Sequence, residues 1–325
     1  MRNLSVQAYR GWLMLWIVLF HYTYRITELY PDIQFPLQFE NGGKIGVMFF
    51  FVISGFFLFK GILKLPQQNI IGYCKIIANK YWRLWLPYIF AIVLIFSICA
   101  IWELPGRTVS WQEFLLDTIL IYHPKIAFVD SAHWFIGHLI CIQIIVSLFL
   151  LIKRELRSRA IYAYEIFLCI VLVINNVVHD YITVKLMCIL CVDSSFKVLL
   201  GYNLLNISRG GREGKNYHII MFISLLTYYS ITINLLWVPL YTILTYFVLK
   251  KDVRSNLLKP LMCIGDISFE WYLVHQNIGF LIIIVFYHNG VTNETVLIIP
   301  VLVTMVLGFC IHCITKKIPQ KIYTI

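Results

Sequence analysis

The sequence predicts an all-α, polytopic integral membrane protein with about ten transmembrane helices and both termini in the cytoplasm. Three observations lead to that expectation. Hydrophobic residues make up 60% of the chain and charged residues only 13%, whereas a soluble chain carries about 25% charged residues. The apolar residues gather in long blocks rather than alternating with polar ones, and the mean hydropathy is +0.79, as expected of helices that satisfy their own backbone in lipid. The third observation is the placing of the basic residues, which fall mostly between the blocks and predominantly on one side.

Ten spans are expected, at roughly 11–27, 45–60, 84–102, 134–152, 160–178, 182–205, 217–232, 235–249, 266–287 and 295–315. The uncharged run 217–249 is divided at Ile233-Asn234, because a single helix of that length overshoots a bilayer. Charge tests the count independently. With the N-terminus inside, the cytoplasmic segments collect Arg2 and Arg10, then Lys60, Lys64, Lys75, Lys80 and Arg83, then Lys153, Arg154, Arg157 and Arg159. They go on to collect Arg209, Arg212 and Lys215, then Lys250, Lys251, Arg254 and Lys259, and last Lys316, Lys317 and Lys321. The other side holds Arg25, Lys44, Arg107 and Lys125 among the acids Glu28, Asp32, Glu40, Glu103, Glu113, Asp117, Asp130, Asp180 and Glu294. That is the positive-inside pattern at every loop, and one span more or fewer would invert it downstream.

The net charge of +11 does not imply a nucleic-acid partner, since the basic residues form no single patch; the expected surroundings are a lipid bilayer. Nine cysteines lie mostly inside apolar blocks and are expected as free thiols. Cys188-x-x-Cys191 lacks a second ligand pair, so no metal site is expected. No cleavable signal peptide is evident, and residues 1–325 read as a single transmembrane domain. Within the sixth span, Asp193 and Lys197 stand four apart and are expected to neutralise one another.

Five stretches can carry chemistry. Arg10 and His21 stand eleven residues apart on the first span, so about three turns place them on nearly one face, roughly 16 Å apart along the axis. A histidine at that depth is a functional candidate, because a titratable group inside a membrane is costly. The plain alternative is an interfacial arginine and a histidine that bonds a neighbouring helix. The second span holds Phe49-Phe50-Phe51-Val52-Ile53-Ser54-Gly55-Phe56, where Ser54 and Gly55 suit either close helix packing or positioning of a site. Lys80 and Arg83 share a helix face at the mouth of the third span; two cations there suit a phosphorylated ligand, or simple anchoring. His133 and Trp134 open the fourth span, and Glu270 and His275 sit on the ninth within Ser268-Phe269-Glu270-Trp271-Tyr272-Leu273-Val274-His275.

In this order, Arg-x10-His, the aromatic run ending Ser-Gly-Phe, Arg-Leu-x-x-Pro, His-Trp-Phe and Tyr-Leu-x-His resemble membrane acyltransferase family 3, the integral-membrane O-acyltransferases of bacterial surface sugars. The resemblance covers essentially residues 1–320. One departure is Lys80, which stands where the family has the first of two arginines and lacks the bidentate fork.

The resemblance implies an enzyme of the bacterial cytoplasmic (inner) membrane. Its donor would be acetyl-CoA or another acyl-CoA, a co-substrate rather than a resident cofactor. Its acceptor would be a sugar or lipid-linked glycan hydroxyl at the outer face, as in O-antigen or capsule. Under that reading His21 is the base or briefly carries the acyl group, and Arg10, Lys80 and Arg83 hold the CoA phosphates. His133 and Trp134 then serve the acceptor side, while Ser54, Glu270 and His275 are candidates for positioning. The competing class is a transporter of a lipid-linked sugar or a proton-coupled solute, built on the intramembrane Asp193, Lys197 and His21.

Overall fold

The computed structural model describes residues 3–102, 104–107, 109–120, 129–178, 181–209, 214–253, 255–319 and 322–323. Arg2, Glu103, Lys125, Asp180, Arg212, Arg254 and Lys321, and the side chain of Glu294, all counted in the charge pattern above, lie outside the described residues.

The described residues are helical, with no strand among them. In chain order the α-helices are α1 (Leu4–Phe20), α2 (Ile26–Leu29), α3 (Gly42–Ile62), α4 (Ile70–Ile101), α5 (Trp111–Asp117), α6 (Trp134–Ser147) and α7 (Arg157–Val178). They continue with α8 (Tyr181–Ile189), α9 (Val192–Arg209), α10 (Lys215–Thr232), α11 (Trp237–Lys250), α12 (Lys259–Asp266), α13 (Ser268–His288) and α14 (Ile298–Lys316).

Among the described residues, six segments are long and apolar enough to cross a membrane: Gly42–Ile62, Ile70–Ile101, Ser131–Leu151, Arg154–Val178, Ser268–His288 and Thr295–Lys316. Their exposed sides are apolar at helical spacing. On α7 these are Ile166, Phe167, Ile170, Val173, Ile174 and Val177; on α14 they are Ile299, Leu302, Val303, Val306 and Phe309. Such stripes suit a lipid environment.

Two compact units divide the chain by contact. One comprises residues 1–47, 83–135 and 247–320, and the other comprises 48–82, 136–246 and 321–325. In the first unit α1 packs on α12 and α13 packs on α14. The α1/α12 crossing is backbone on backbone: a β-carbon on Gly11 would strike the Leu261 carbonyl, and one on Gly265 the Gln7 carbonyl. Close approach of this kind is what small residues permit. In α13 every residue from Glu270 to Phe280 is buried, so this helix is the hub of its unit. In the second unit α9 packs on α10, and α3 meets α9 through Gly55 and Gly201, each facing the other helix's backbone. Gly55 therefore serves helix packing, and Ser54 lies half-buried beside the crossing.

Three boundaries differ from expectation. The third span begins not near 84 but at Ile70, so Lys75, Lys80 and Arg83 ride on α4 itself. Lysine and arginine are good helix formers, and charge ends the apolar stretch without ending the helix. The sixth span is not one helix: it breaks between α8 and α9, where Cys191 adopts φ +46° and Ser195 Oγ donates to the Leu190 carbonyl at 2.8 Å. No proline or glycine marks that break in the sequence. The first span keeps helical geometry to His21, then widens into a π-helical turn over His21–Arg25. The break expected at Ile233-Asn234 is present, with α10 ending at Thr232 and α11 opening at Trp237. Lys197 Nζ pairs with Asp193 Oδ2 at 2.6 Å, as the spacing of those residues predicts.

Candidate functional site

The site grows from the wide turn at the end of α1. α1 is capped by Asn3, whose Oδ1 accepts the Val6 amide at 3.0 Å, and it runs unbroken past Arg10 to His21. The register that puts both residues on nearly one face therefore holds through His21 and changes only beyond it. π-helical turns arise at functional positions more often than chance would place them. His21, the first residue of that turn, packs against α13, where the His21 and His275 rings lie edge to face with centroids 4.9 Å apart.

The polar atoms around this pair are incompletely used. His275 Nδ1 faces the Tyr272 carbonyl at 2.7 Å and must donate to it, which leaves the lone pair of the neutral ring on Nε2. That Nε2 is buried and has no hydrogen-bond partner, and the same is true of His21 Nδ1. His133 repeats the arrangement: its Nε2 donates to the Leu273 carbonyl at 2.8 Å, and its Nδ1 is buried without a partner. Gln276 Nε2 donates to Ser131 Oγ at 3.2 Å, and its Oε1 has no partner. Buried acceptors are normally satisfied, so a cluster of open ones calls for an explanation. Hydroxyl donors from a bound molecule would supply it.

Tyr22, next to His21, fixes the pair. Its hydroxyl donates to the His275 carbonyl at 2.7 Å and lies 3.2 Å from Thr304 Oγ1, which also accepts the Trp271 indole at 2.9 Å. Gly279 gives the Tyr22 ring its space.

Above the histidines, residues 129–132, just before α6, clamp α13. Asp130 Oδ2 accepts the Asn277 amide at 3.0 Å and Oδ1 the Ala132 amide at 3.0 Å. Asn277 Nδ2 donates to the Val129 carbonyl at 2.8 Å, and the Tyr272 hydroxyl donates to the Ala132 carbonyl. Asp117, outside the spans, accepts from the Tyr88 hydroxyl at 2.6 Å and the Val129 amide at 2.8 Å. Its burial still raises the carboxyl above its ordinary value, because desolvation disfavours the charged form.

The residues singled out from sequence fall as follows. His21 and His275 meet. Glu270 is bonded to His312 Nδ1 at 3.0 Å, a pairing that the sequence does not suggest. His133 is fully buried and lies beside the Tyr88 ring, at 5.1 Å between centroids. Trp134 is half-buried against Phe135. Arg10 is half-buried and Arg83 exposed. Ser54 and Lys80 belong to the other unit, where Lys80 Nζ donates to Ser147 Oγ at 3.0 Å. Sequence reasoning missed Arg107, Asp130, Gln276 and Asn277 as members of the polar layer. The one available signal was His275-Gln276-Asn277, three polar residues in succession inside an apolar span.

Long apolar helices around a buried layer of histidines and amides define a polytopic membrane protein with a polar site in its interior. The acyltransferase-domain model of acyltransferase family 3 matches residues 3–315, and the chain belongs to that family. No curated protein and no solved structure matches. The protein is thus a membrane acyltransferase.

Proposed function

We propose that the protein moves an acetyl or related acyl group from cytoplasmic acyl-CoA to a sugar hydroxyl of a bacterial surface polysaccharide, O-antigen or capsule, from within the inner membrane. The observation that carries this reading is the pair of contacting imidazoles, His21 and His275, each with a buried ring nitrogen that has no hydrogen-bond partner. Acyl transfer to a hydroxyl needs a base where the hydroxyl meets the thioester.

In this reading the His21 imidazole takes the proton of the acceptor hydroxyl. The oxygen attacks the thioester carbonyl, the carbon–sulfur bond of the tetrahedral intermediate breaks, and the departing CoA sulfur takes the proton back from His21. A route in which His21 itself carries the acyl group uses the same atoms in two steps. Arg10 and Arg83 serve the CoA phosphates, and about 16 Å of helix from Arg10 to His21 matches the reach of an extended pantetheine arm. His133 and Trp134 serve the acceptor side. His275 and Glu270 position these groups.

Ten crossings with cytoplasmic termini complete the reading. The run Leu4–Leu29 through the wide turn is long enough to span, while α8 with α9, α10 and α11 supply the other shorter crossings.

His21→Ala, checked for membrane insertion, is expected to lower transfer from labelled acetyl-CoA to surface glycan about 10²–10⁴-fold. Near-normal transfer would remove His21 from the chemistry.

A further inference from the structure

The outer end of the His21–His275 site carries a cation that the acyl-transfer scheme leaves unused. Arg107, in the segment after α4, is half-buried. Its Nη1 donates to Asn277 Oδ1 at 2.9 Å and to Ser131 Oγ at 3.0 Å, both neutral acceptors. The guanidinium carbon lies 5.2 Å from the centroid of the Phe280 ring. His21 lies against that same ring, with centroids 6.2 Å apart, and Tyr30 stands edge-on to it at 6.3 Å.

The neighbouring carboxylate, Asp130, spends its oxygens on the amides of Ala132 and Asn277. Among the described residues Arg107 has no ion pair, and its Nε and Nη2 hydrogens have no acceptor. Asn277 and Ser131 hold one edge of the guanidinium, Phe280 backs its face, and the other edge keeps the fork geometry that matches a carboxylate or a phosphate.

A purely structural arginine accounts for the Nη1 bonds but not for the free fork beside three open buried acceptors, His133 Nδ1, His275 Nε2 and Gln276 Oε1, and the unpartnered Nδ1 of His21. Together these groups describe a ligand with hydroxyl donors and one negative charge.

We infer that Arg107 selects the acceptor: its open guanidinium edge takes an anionic group of the sugar to be acylated. That group is either the carboxylate of a uronic acid or the phosphate of a phosphate-linked glycan, and the hydroxyls of the sugar fall toward the histidines. The inference rests on the acyl-transfer reading and names its acceptor class. Arg107 is a specificity residue in this scheme, and His21 keeps the proton chemistry.

The test measures binding by the purified full-length protein in detergent. Glucose, glucuronate and glucose 1-phosphate are titrated, and apparent affinities are read from ligand-induced shifts in thermal unfolding. One anionic sugar is expected to bind at least 10-fold tighter than glucose, and which one does so identifies carboxylate or phosphate as the partner. Arg107→Gln is expected to erase the difference while leaving glucose binding in place. Arg107→Lys, which preserves the charge without the fork, is expected to retain part of it and covers the case in which the glutamine variant does not fold.

Equal binding of charged and neutral sugars by the wild type would overturn the inference, as would undiminished discrimination in Arg107→Gln. Transfer from acetyl-CoA is measured on the same sugars. Transfer to all three alike refutes the charge selection alone. Arg107-dependent anion binding without transfer to any acceptor refutes the acyl-transfer reading and leaves the anion site standing.

Discussion

Gly279→Ala tests whether the geometry around His21 is as tight as the packing implies. A methyl group on Gly279 falls under 3.0 Å from two ring carbons and the hydroxyl oxygen of Tyr22 at once, so the side chain must retreat by roughly 1 Å or α13 must move with it. Tyr22 has no free space to enter: it is fully buried and its hydroxyl is tied to the His275 carbonyl and to Thr304. Stretching the 2.7 Å bond by that amount forfeits it, at about 1 kcal/mol. Overpacking a close-packed site costs a further ~1–3 kcal/mol. Tyr22 adjoins His21, so the shift also disturbs the 4.9 Å contact of the two imidazoles; a misplacement of about 1 Å can cost 10²-fold in rate.

The assays are thermal unfolding in detergent and transfer from labelled acetyl-CoA in reconstituted vesicles. Gly61→Ala, where an added β-carbon meets nothing within 4 Å, is the control and is expected to change neither. Wild-type stability and activity in Gly279→Ala would refute the reasoning, since the Tyr22–Gly279 contact would then not constrain the site.

Other perturbations have equally definite outcomes. Arg157 is fully buried and donates to the carbonyls of Ile62, Leu65, Leu150 and Ile152; Arg157→Leu leaves them without that donor and is expected to cost about 2–4 kcal/mol, read from the unfolding midpoint. Tyr88→Phe removes a donor to Asp117 and is expected to cost ~1.5–3 kcal/mol at neutral pH. The cost shrinks on acidification. The Asp117 carboxyl is already raised by burial and rises further in the variant, so the folded protein takes up a proton at a pH where the unfolded chain is still ionised. Its relative stability therefore recovers as the pH falls through the folded value toward the unfolded one near 4, and unfolding measured across that range checks the sign. Arg83→Ala is expected to raise the acyl-CoA requirement more than the acceptor requirement; the reverse would move the donor site elsewhere.

What the sequence settled by itself is whatever depends on composition and local periodicity. Apolar blocks too long and too continuous for a soluble core require helices in lipid, because lipid offers the backbone no other hydrogen-bond partner. The break at Ile233-Asn234 follows from the length of a bilayer span, and the Asp193–Lys197 pair and the common face of Arg10 and His21 follow from spacing along one helix.

Tertiary structure alone decided the rest. His21 meets His275 across a helix pair 254 residues apart in sequence, and no residue pattern announces the π-helical turn that begins at His21. Glu270 finds His312, and Asp130, Arg107 and Asn277 form a single clamp, across separations of 42 to 170 residues. The break at Cys191 escapes propensity because its backbone takes a left-handed conformation without glycine. Side chains that far apart in sequence are joined by packing energy, which a linear pattern does not encode. For that reason the fold class was legible in the chain, whereas the partners of its histidines had to be read from the folded molecule.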